Sequence, residues 1–395
     1  MKKTGAFLRM LISVMAGVMF GGLIYGIPVH AGEIEEQNNE YGQTQDYIDQ
    51  WMESLDVEGM DAGMKGLFPE LEVQTDELLQ MILHGKITEA LGGLGVQIKD
   101  SLMGKLWNVG QLFLYILILG VMSALFSGFS DLFAGKQIAQ AGFYFLYLFL
   151  MVILTRVFSF VSEVAREAVE NVVLFIKMFI PTYFVAVGTA QGTATAVFYY
   201  QMMLVVAYLV ESFLNSVLIP FICSYVLLAL LNGIWVEEKL SLLLDFIQKG
   251  IVMVLKFSMG AVTGLSLVQA VIVPVVDKLK ISAVRKAVSA IPGIGGVAEG
   301  VTELMLGSAV LIKNSMGVLL MVLLLAACLA PIIQILAVTL TIKLGAALSG
   351  IVSDKRLSGC VDRVGEGCFL MLRCVFTSVA LFFIVIAVVA YTTAS

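Results

Sequence analysis

The stretch MGVLLMVLLLAACLAPIIQILAV at residues 316–338 runs for 23 residues without one charged side chain. About 20 apolar residues suffice for an α-helix to cross the ~30 Å hydrocarbon core of a bilayer. Comparable runs lie at 108–129, 140–162, 250–275 and 369–391, and 195–235 is longer still. The sequence therefore predicts an all-α fold, a polytopic helical bundle in a membrane.

The composition of the whole chain agrees with this prediction. Hydrophobic residues make up 59% of the 395 residues and charged residues 14%, with a mean hydropathy of +0.95. Soluble domains average roughly 45–50% apolar and about 25% charged residues. The composition excludes an ordinary cytosolic protein and a disordered one. The net charge of −6 gives no general attraction to nucleic acid.

Charge divides the chain into three segments. Residues 1–31 carry three basic residues and no acid, whereas 32–107 carry 16 acidic and four basic residues. The membrane segment 108–395 is slightly basic. The first segment resembles a secretory signal peptide with cleavage after Ala31; the alternative is an uncleaved first membrane helix. Under both interpretations residues 32–107 are extracytoplasmic.

The acidic segment 32–107 has apolar residues at helical spacing over 47–55 and 87–106. Between these stretches, glycines and a proline interrupt the pattern, at Gly59, Gly63, Gly66 and Pro69. One interpretation is a pair of short amphipathic helices on a stalk or small cap. The other is a docking surface for a partner protein outside the membrane.

The membrane segment is expected to make seven crossings, with an eighth doubtful. The long run 195–235 is predicted to fold back as two helices, with a bend at Asn215 and Pro220. The run 172–188 is either a short span or a re-entrant hairpin. The basic stretch 278–286 is predicted to be cytoplasmic. This topology puts a loop at 341–368 outside despite its basic residues.

Polar residues inside apolar runs are candidates for an intramembrane or gating site. An ionised side chain at the bilayer centre costs at least ~2.5–3.5 kcal/mol, so such residues usually face a bundle interior or a water-filled path. Glu211 has a short stem, and we expect it to pair with Lys177 or Lys256. The full candidate set is Lys177, Pro181, Glu211, Asn215, Lys256, Pro292 and Lys313. Two basic–Ile–Pro–small stretches, 177–196 and 286–300, suggest a diverged repeat with broken helices.

Catalytic chemistry finds no support in the sequence. Cleavage after Ala31 leaves His84 as the only histidine, and Cys360 and Cys368 lack partner ligands. No phosphate-binding G-x-x-x-x-G-K-[ST] motif is present. We predict no catalytic, cofactor or metal site, and no enzyme.

One run of residues also carries a family resemblance. Ala290-Ile291-Pro292-Gly293, then Gly300-Val301-Thr302-Glu303, Gly307-Ser308 and 311–317 (LIKNSMG) resemble the stage III sporulation protein AE family. Phe179-Ile180-Pro181 and Lys343-Leu344 with Ala346-Ala347 are also similar to that family.

The resemblance implies a place in endospore formation. It implies a multi-pass protein of the mother-cell membrane around the forespore, in a channel or secretion-like complex with a separate ATPase and ring-forming subunits. Residues 32–107 would then lie between the two membranes. The function expected from the sequence is the membrane core of that complex. The alternatives are a secondary transporter using Lys177, Glu211 and Lys256, or a structural anchor that recruits partner proteins.

Overall fold

The structure is a computed structural model that describes the chain in separate stretches. The backbone is described over 57–67, 74–83, 136–191, 194–234, 239–288, 295–352 and 355–392, with short pieces between 86 and 121. Side chains are described mainly over 59–67, 74–83, 141–178, 201–234, 239–268, 315–351 and 355–387. The predicted signal peptide at 1–31 and nearly all of the predicted span at 108–129 lie outside these residues.

Every regular element in the described stretches is helical. Two short helices come first, α1 (Val57–Leu67) and α2 (Thr75–Leu83). Longer helices follow: α3 (Lys136–Gln191), α4 (Ala194–Phe213), α5 (Ile219–Asn232), α6 (Ser241–Val288), α7 (Gly295–Val352) and α8 (Lys355–Thr392). At about 1.5 Å per residue, α3 alone is roughly 84 Å long, which exceeds the thickness of a bilayer.

Five helical stretches in the described part of the chain are long and apolar enough to cross a membrane. They are Ala141–Met178, Gln201–Asn232, Ser241–Val268, Ser315–Ile351 and Lys355–Ala387. The predicted all-α membrane bundle is therefore confirmed. Two of the seven predicted crossings are not among these five stretches: 108–129 lies almost wholly outside the described residues, and 195–235 contributes one stretch in place of two. Two predicted chain reversals are also absent from the described helices.

The first missing reversal is the predicted fold-back at Asn215 and Pro220. A π-helical turn, Leu214–Leu218, joins α4 to α5, and the N–H of Ile219 donates to the carbonyl of Leu214. The chain stays right-handed helical on both sides of this turn. Pro220 sits in the first turn of α5, directly after the π turn. The turn therefore absorbs an extra residue without reversing the chain.

The second missing reversal is the re-entrant hairpin at 172–188. The α3 backbone continues as helix through Pro181 to Gln191, so this stretch extends the preceding helix. The predicted loop 341–368 is wrong as well, because α7 continues to Val352 and α8 begins at Lys355. Lys343, one of its basic residues, pairs across this hairpin: its Nζ lies 2.8 Å from Asp362 and 2.5 Å from Glu366.

Helix α8 lies at the centre of the bundle, and most of its side chains are buried. It runs antiparallel to α7, with which it forms a hairpin. It runs parallel to α3: Tyr147 O–H reaches Cys360 Sγ at 3.2 Å, and the rings of Phe175 and Phe382 meet edge-on at 5.7 Å. Helices α4 and α5 run antiparallel to α3, and Ser162 Oγ lies 3.2 Å from Cys223 Sγ.

The short helices α1 and α2 pack onto this bundle. Glycines expected to interrupt the chain lie inside α1 instead, and Gly63 brings α1 so close to α3 that a Cβ would collide with Met178. Met64 and Leu79 are fully buried in the same apolar cluster as the long helices. Asp61 Oδ1 accepts the N–H of Thr75 at 2.7 Å, which joins α1 to α2. The long helices of the bundle therefore cover the apolar faces of α1 and α2.

One close approach inside the bundle gives a direct test of this packing. A Cβ on Gly367 of α8 would collide with Val226 and lie 3.5 Å from Phe158. Val226 is β-branched and stiff, so Gly367→Ala is expected to destabilise the bundle by about 1–3 kcal/mol. The measurement is unfolding of the purified chain in mixed detergent micelles.

Gly264→Ala on α6 is the matched control. Nothing lies within 4 Å of its added Cβ, so we expect no loss of stability, or a gain of up to about 1 kcal/mol from the unfolded chain. Equal effects at both positions would contradict the packing described around Gly367.

Candidate intramembrane polar site

Glu211 lies in the last turn of α4 and is fully buried between α4, α7 and α8. Ser378 Oγ of α8 donates a hydrogen bond to Glu211 Oε2 at 2.6 Å. Cys328 of α7 and Cys374 of α8, both buried, lie near enough to interact electrostatically with the carboxyl group. Three helices therefore meet around the carboxyl group of Glu211.

This site has two buried oxygens without a partner. Glu211 Oε1 and Asn215 Oδ1 accept no hydrogen bond in the described part of the chain. Asn215 follows Glu211 by about one turn and belongs to the π turn. Short π-helical turns of this kind occur frequently at functional sites. Since a buried unpaired polar group costs about 1–3 kcal/mol, the site is open to a hydrogen-bond donor such as water.

The structure gives Glu211 a different partner from the lysines expected in the sequence analysis. Lys177 is exposed and lies over the ring of Tyr208, with Nζ 5.0 Å from the ring centroid. Lys256 is also exposed, on α6. Glu211 instead points into the bundle and meets Ser378. The sequence carried no signal for Ser378, because a serine in an apolar helix is common and its partner is 167 residues away.

Three further candidates are Pro181, Lys313 and Pro292. Pro181 and Lys313 lie on the helical backbones of α3 and α7, and their side chains are outside the described set. Pro292 lies outside the described residues altogether, together with the rest of 289–294. Among the candidates with described side chains, Glu211 and Asn215 lie about one helical turn apart, at the junction of α4 and the π turn.

Sequence reasoning missed a second polar cluster, at the α7–α8 hairpin end of the bundle. Arg363 Nη1 of α8 lies 2.5 Å from Asp245 of α6. Gln248 Nε2 donates to Glu366 Oε2 at 3.0 Å, and Glu366 also meets Lys343. These contacts tie α6, α7 and α8 together. The helical spacing of Asp362 and Glu366 was the available signal, but the stretch was interpreted as a loop.

The comparisons with known proteins identify the family. The family model described as "Stage III sporulation protein AE" matches residues 73–393, which include α2 to α8. The chain belongs to the stage III sporulation protein AE family.

A curated member of the family is similar over much of the chain. It is stage III sporulation protein AE of Bacillus subtilis (strain 168), 18% identical over 281 residues. The similarity covers 71% of this chain and 70% of that protein. No solved structure matches the chain. The family is a sporulation membrane protein family and is not a known enzyme family. The described residues contain no group of three side chains suited to a metal ion.

The hydrogen bond between Ser378 and Glu211 can be tested by removing its donor. Ser378→Ala leaves a buried carboxyl group without its donor, and we expect a loss of about 1–3 kcal/mol in the free energy of unfolding. Ser266→Ala is the control, because Ser266 is also fully buried and its hydroxyl has no partner. We expect little change there. If both variants lose the same stability, the bond to Glu211 contributes nothing specific.

Proposed function

We propose that this chain is a membrane core component of a channel or secretion-like complex between mother cell and forespore, needed for endospore development. Membership of the family over residues 73–393 carries the proposal. Five membrane-length helices and a polar site buried among them support it. A chain with this architecture provides a path or a gate, and other subunits supply the energy. The expected partners are a separate ATPase and ring-forming sporulation membrane proteins.

The π turn offers a way for the bundle to gate. It separates α4, which carries Glu211, from α5, whose Tyr225 and Val226 are buried against the core. Small rotations of α4 about this turn change the contact between Glu211 and Ser378 without unpacking α5. The two unpaired oxygens of Glu211 and Asn215 reduce the cost of such a rotation, because they have no bond to break.

The proposed orientation puts residues 32–107 outside the cytoplasm. Because α1 packs beside Met178 of α3, that end of the bundle is then extracytoplasmic and the α7–α8 hairpin is cytoplasmic. Basic residues at the hairpin end agree with the positive-inside rule: Lys239, Lys249, Lys343, Lys355, Arg356 and Arg363. The same orientation carries the basic segment 278–286 away from the hairpin end, against the side predicted for it from sequence.

Labelling with a membrane-impermeant thiol reagent tests this orientation. In intact cells that make the chain without forming a spore, Asp76→Cys on α2 is expected to react, whereas Lys355→Cys at the start of α8 reacts only after the membrane is opened. Both positions are exposed, so the difference reports sidedness rather than burial. The reverse pattern would place the N-terminal segment in the cytoplasm.

A secondary transporter of a small solute is the second candidate function. The unpaired carboxyl and amide oxygens of Glu211 and Asn215 favour it, because transporters place such groups at interior binding sites. The two functions are separable by experiment. Solute flux in liposomes that contain this chain alone supports the transporter. Copurification with an ATPase and ring-forming membrane proteins from sporulating cells supports the complex.

Glu211→Gln tests the role of the interior site in sporulation. The amide oxygen keeps the hydrogen bond from Ser378, so we expect the variant to fold and reach the membrane. We expect fewer heat-resistant spores, because the amide cannot ionise as the carboxyl group can. Glu77→Gln, at an exposed position on α2, is the control and should leave spore counts unchanged. Normal spore formation and normal complex assembly in the Glu211 variant would remove Glu211 from the functional site.

A further inference from the structure

The middle of α3 has an apolar face toward the bundle and a charged face away from it. Its inward residues between 154 and 176 are buried: Leu154, Phe158, Val161, Ala165, Ala168, Val169, Val172, Phe175 and Ile176. Six charged residues lie on its exposed outward side, with the exposed Phe160 and Leu174 between them. We call the six the α3 charged face: Arg156, Glu163, Arg166, Glu167, Glu170 and Lys177.

The charged face lies at the level of the most apolar parts of the bundle. Ser162 of α3 contacts Cys223 of α5, and Phe158 faces Gly367 of α8. Helix α7 passes the same level between residues 316 and 342 without one charged residue. On α5, Phe221 is a large exposed side chain at this level, which suits lipid, and α5 has no charged residue. At this level the outer surface therefore carries charge on the α3 side and none on the α5 side.

The length of the face matches the thickness of a bilayer. Arg156 and Lys177 are 21 residues apart, and at ~1.5 Å per residue they are about 32 Å apart along the helix. The hydrocarbon core is ~30 Å thick. Long basic side chains at both ends can reach the lipid headgroups. The glutamates between them have short stems, and an ionised group at the centre costs at least ~2.5–3.5 kcal/mol against lipid.

The bundle does not neutralise these charges. None of Arg156, Glu163, Arg166, Glu167 and Glu170 has an ion pair among the described contacts, and Lys177 meets only the ring of Tyr208. By contrast, Lys343 and Arg363 at the hairpin end are paired with carboxylates. At the hairpin end, basic side chains that lie between helices are therefore paired with carboxylates. The α3 charged face is built for a different surrounding.

We propose that the α3 charged face lines a water-filled path across the membrane, closed by further copies of this chain around a common axis. The proposal depends on the proposed function in one respect, which is that the chain belongs to a path across the membrane. All copies insert in one orientation, so their α3 helices run parallel and each glutamate faces its own equivalent. Such like charges disfavour direct packing and favour water between them.

The charges also indicate what the path admits. Between its ends, the face carries three glutamates and one arginine, a net charge of −2 per copy. Rings of glutamates at successive levels are the arrangement by which channels favour cations. The path therefore favours water and small cations over anions.

Matched spin labels on the full-length chain in lipid vesicles test where this face lies. Phe160→Cys lies on the α3 charged face and Phe221→Cys on the α5 surface; the two phenylalanines are 47% and 49% exposed. Both variants keep every charge, and the unmodified chain gives the baseline for its five native cysteines. The relaxing probes are oxygen, which concentrates in lipid, and a neutral nickel chelate, which stays in water.

We expect the label at 160 to respond to the nickel chelate and the label at 221 to oxygen. Oxygen response at both positions would put the charged face against lipid and overturn the proposal. Nickel response at both would place this whole level outside the bilayer and overturn it as well. These measurements need no partner protein, so a failed copurification in sporulating cells leaves their outcome unaffected.

Two further readouts at position 160 test the copies and the charge preference. Dipolar coupling between labels on neighbouring copies should appear in the vesicles and vanish when the labelled chain is diluted with unlabelled chain. If no coupling appears, the path is not closed by copies of this chain. An anionic chromium chelate should relax the label less than the neutral nickel chelate does. This difference between the two chelates should be smaller in the double variant Glu163→Gln, Glu167→Gln. Equal relaxation by both chelates in the unaltered face overturns the cation preference.

Discussion

The burial of α8 among α3, α5, α6 and α7 is the constraint on which the rest of this structure depends. Its side chains from Cys368 to Leu372 are almost completely buried, and most of the neighbours they meet are apolar. In a bilayer, burying apolar surface contributes little free energy to the association of helices, so close van der Waals packing has to hold them together. Gly367 and the small residues Cys374 and Ser378 allow that closeness. The contacts of Ser378 with Glu211 and of Arg363 with Asp245 depend on this packing, because Ser378 and Arg363 belong to α8.

Polar groups enter the bundle in two different ways. At the hairpin end, Lys343 and Arg363 meet carboxylates of neighbouring helices, so charge is balanced where α6, α7 and α8 converge. In the interior, Glu211 has one donor, Ser378, and one oxygen without a partner. The first arrangement fixes the relative position of three helices. The second keeps a polar group available where α4 changes into a π turn, and this contrast favours a functional interpretation of Glu211.

The N-terminal helices connect the acidic segment to the bundle. Leu67 O accepts a hydrogen bond from Asn171 Nδ2 at 3.4 Å, so α3 caps the end of α1. Met64 and Leu79 complete the contact from the apolar side. The acidic surface of these helices then remains outward, as Asp76 and Glu77 show. The same helices therefore carry acidic residues on their outer side and apolar residues on the side that contacts the bundle.

Much of the fold follows from the sequence by itself. Runs such as 316–338 must be helical in a bilayer, because only a helix satisfies its own backbone hydrogen bonds there. The same cost argument singled out Glu211 and Asn215 as unusual. Sequence reasoning failed where a local signal had two structural solutions. A proline such as Pro220 is compatible with a chain reversal and also with the start of a helix after a π turn. A glycine such as Gly63 is compatible with a break in a helix and also with a close contact between two helices.

Only the tertiary structure decided which partners these residues have. Hydropathy averages over a helix and does not tell which side of α3 faces the bundle, although the helical spacing of Glu163, Glu167 and Glu170 was present in the sequence. Ser378 reaches Glu211 across 167 residues, a distance at which no spacing rule applies. The sequence determined a membrane bundle with a few costly polar residues. Packing decided which of them are paired, which are buried alone and which face outward, because those outcomes depend on neighbours brought together by folding.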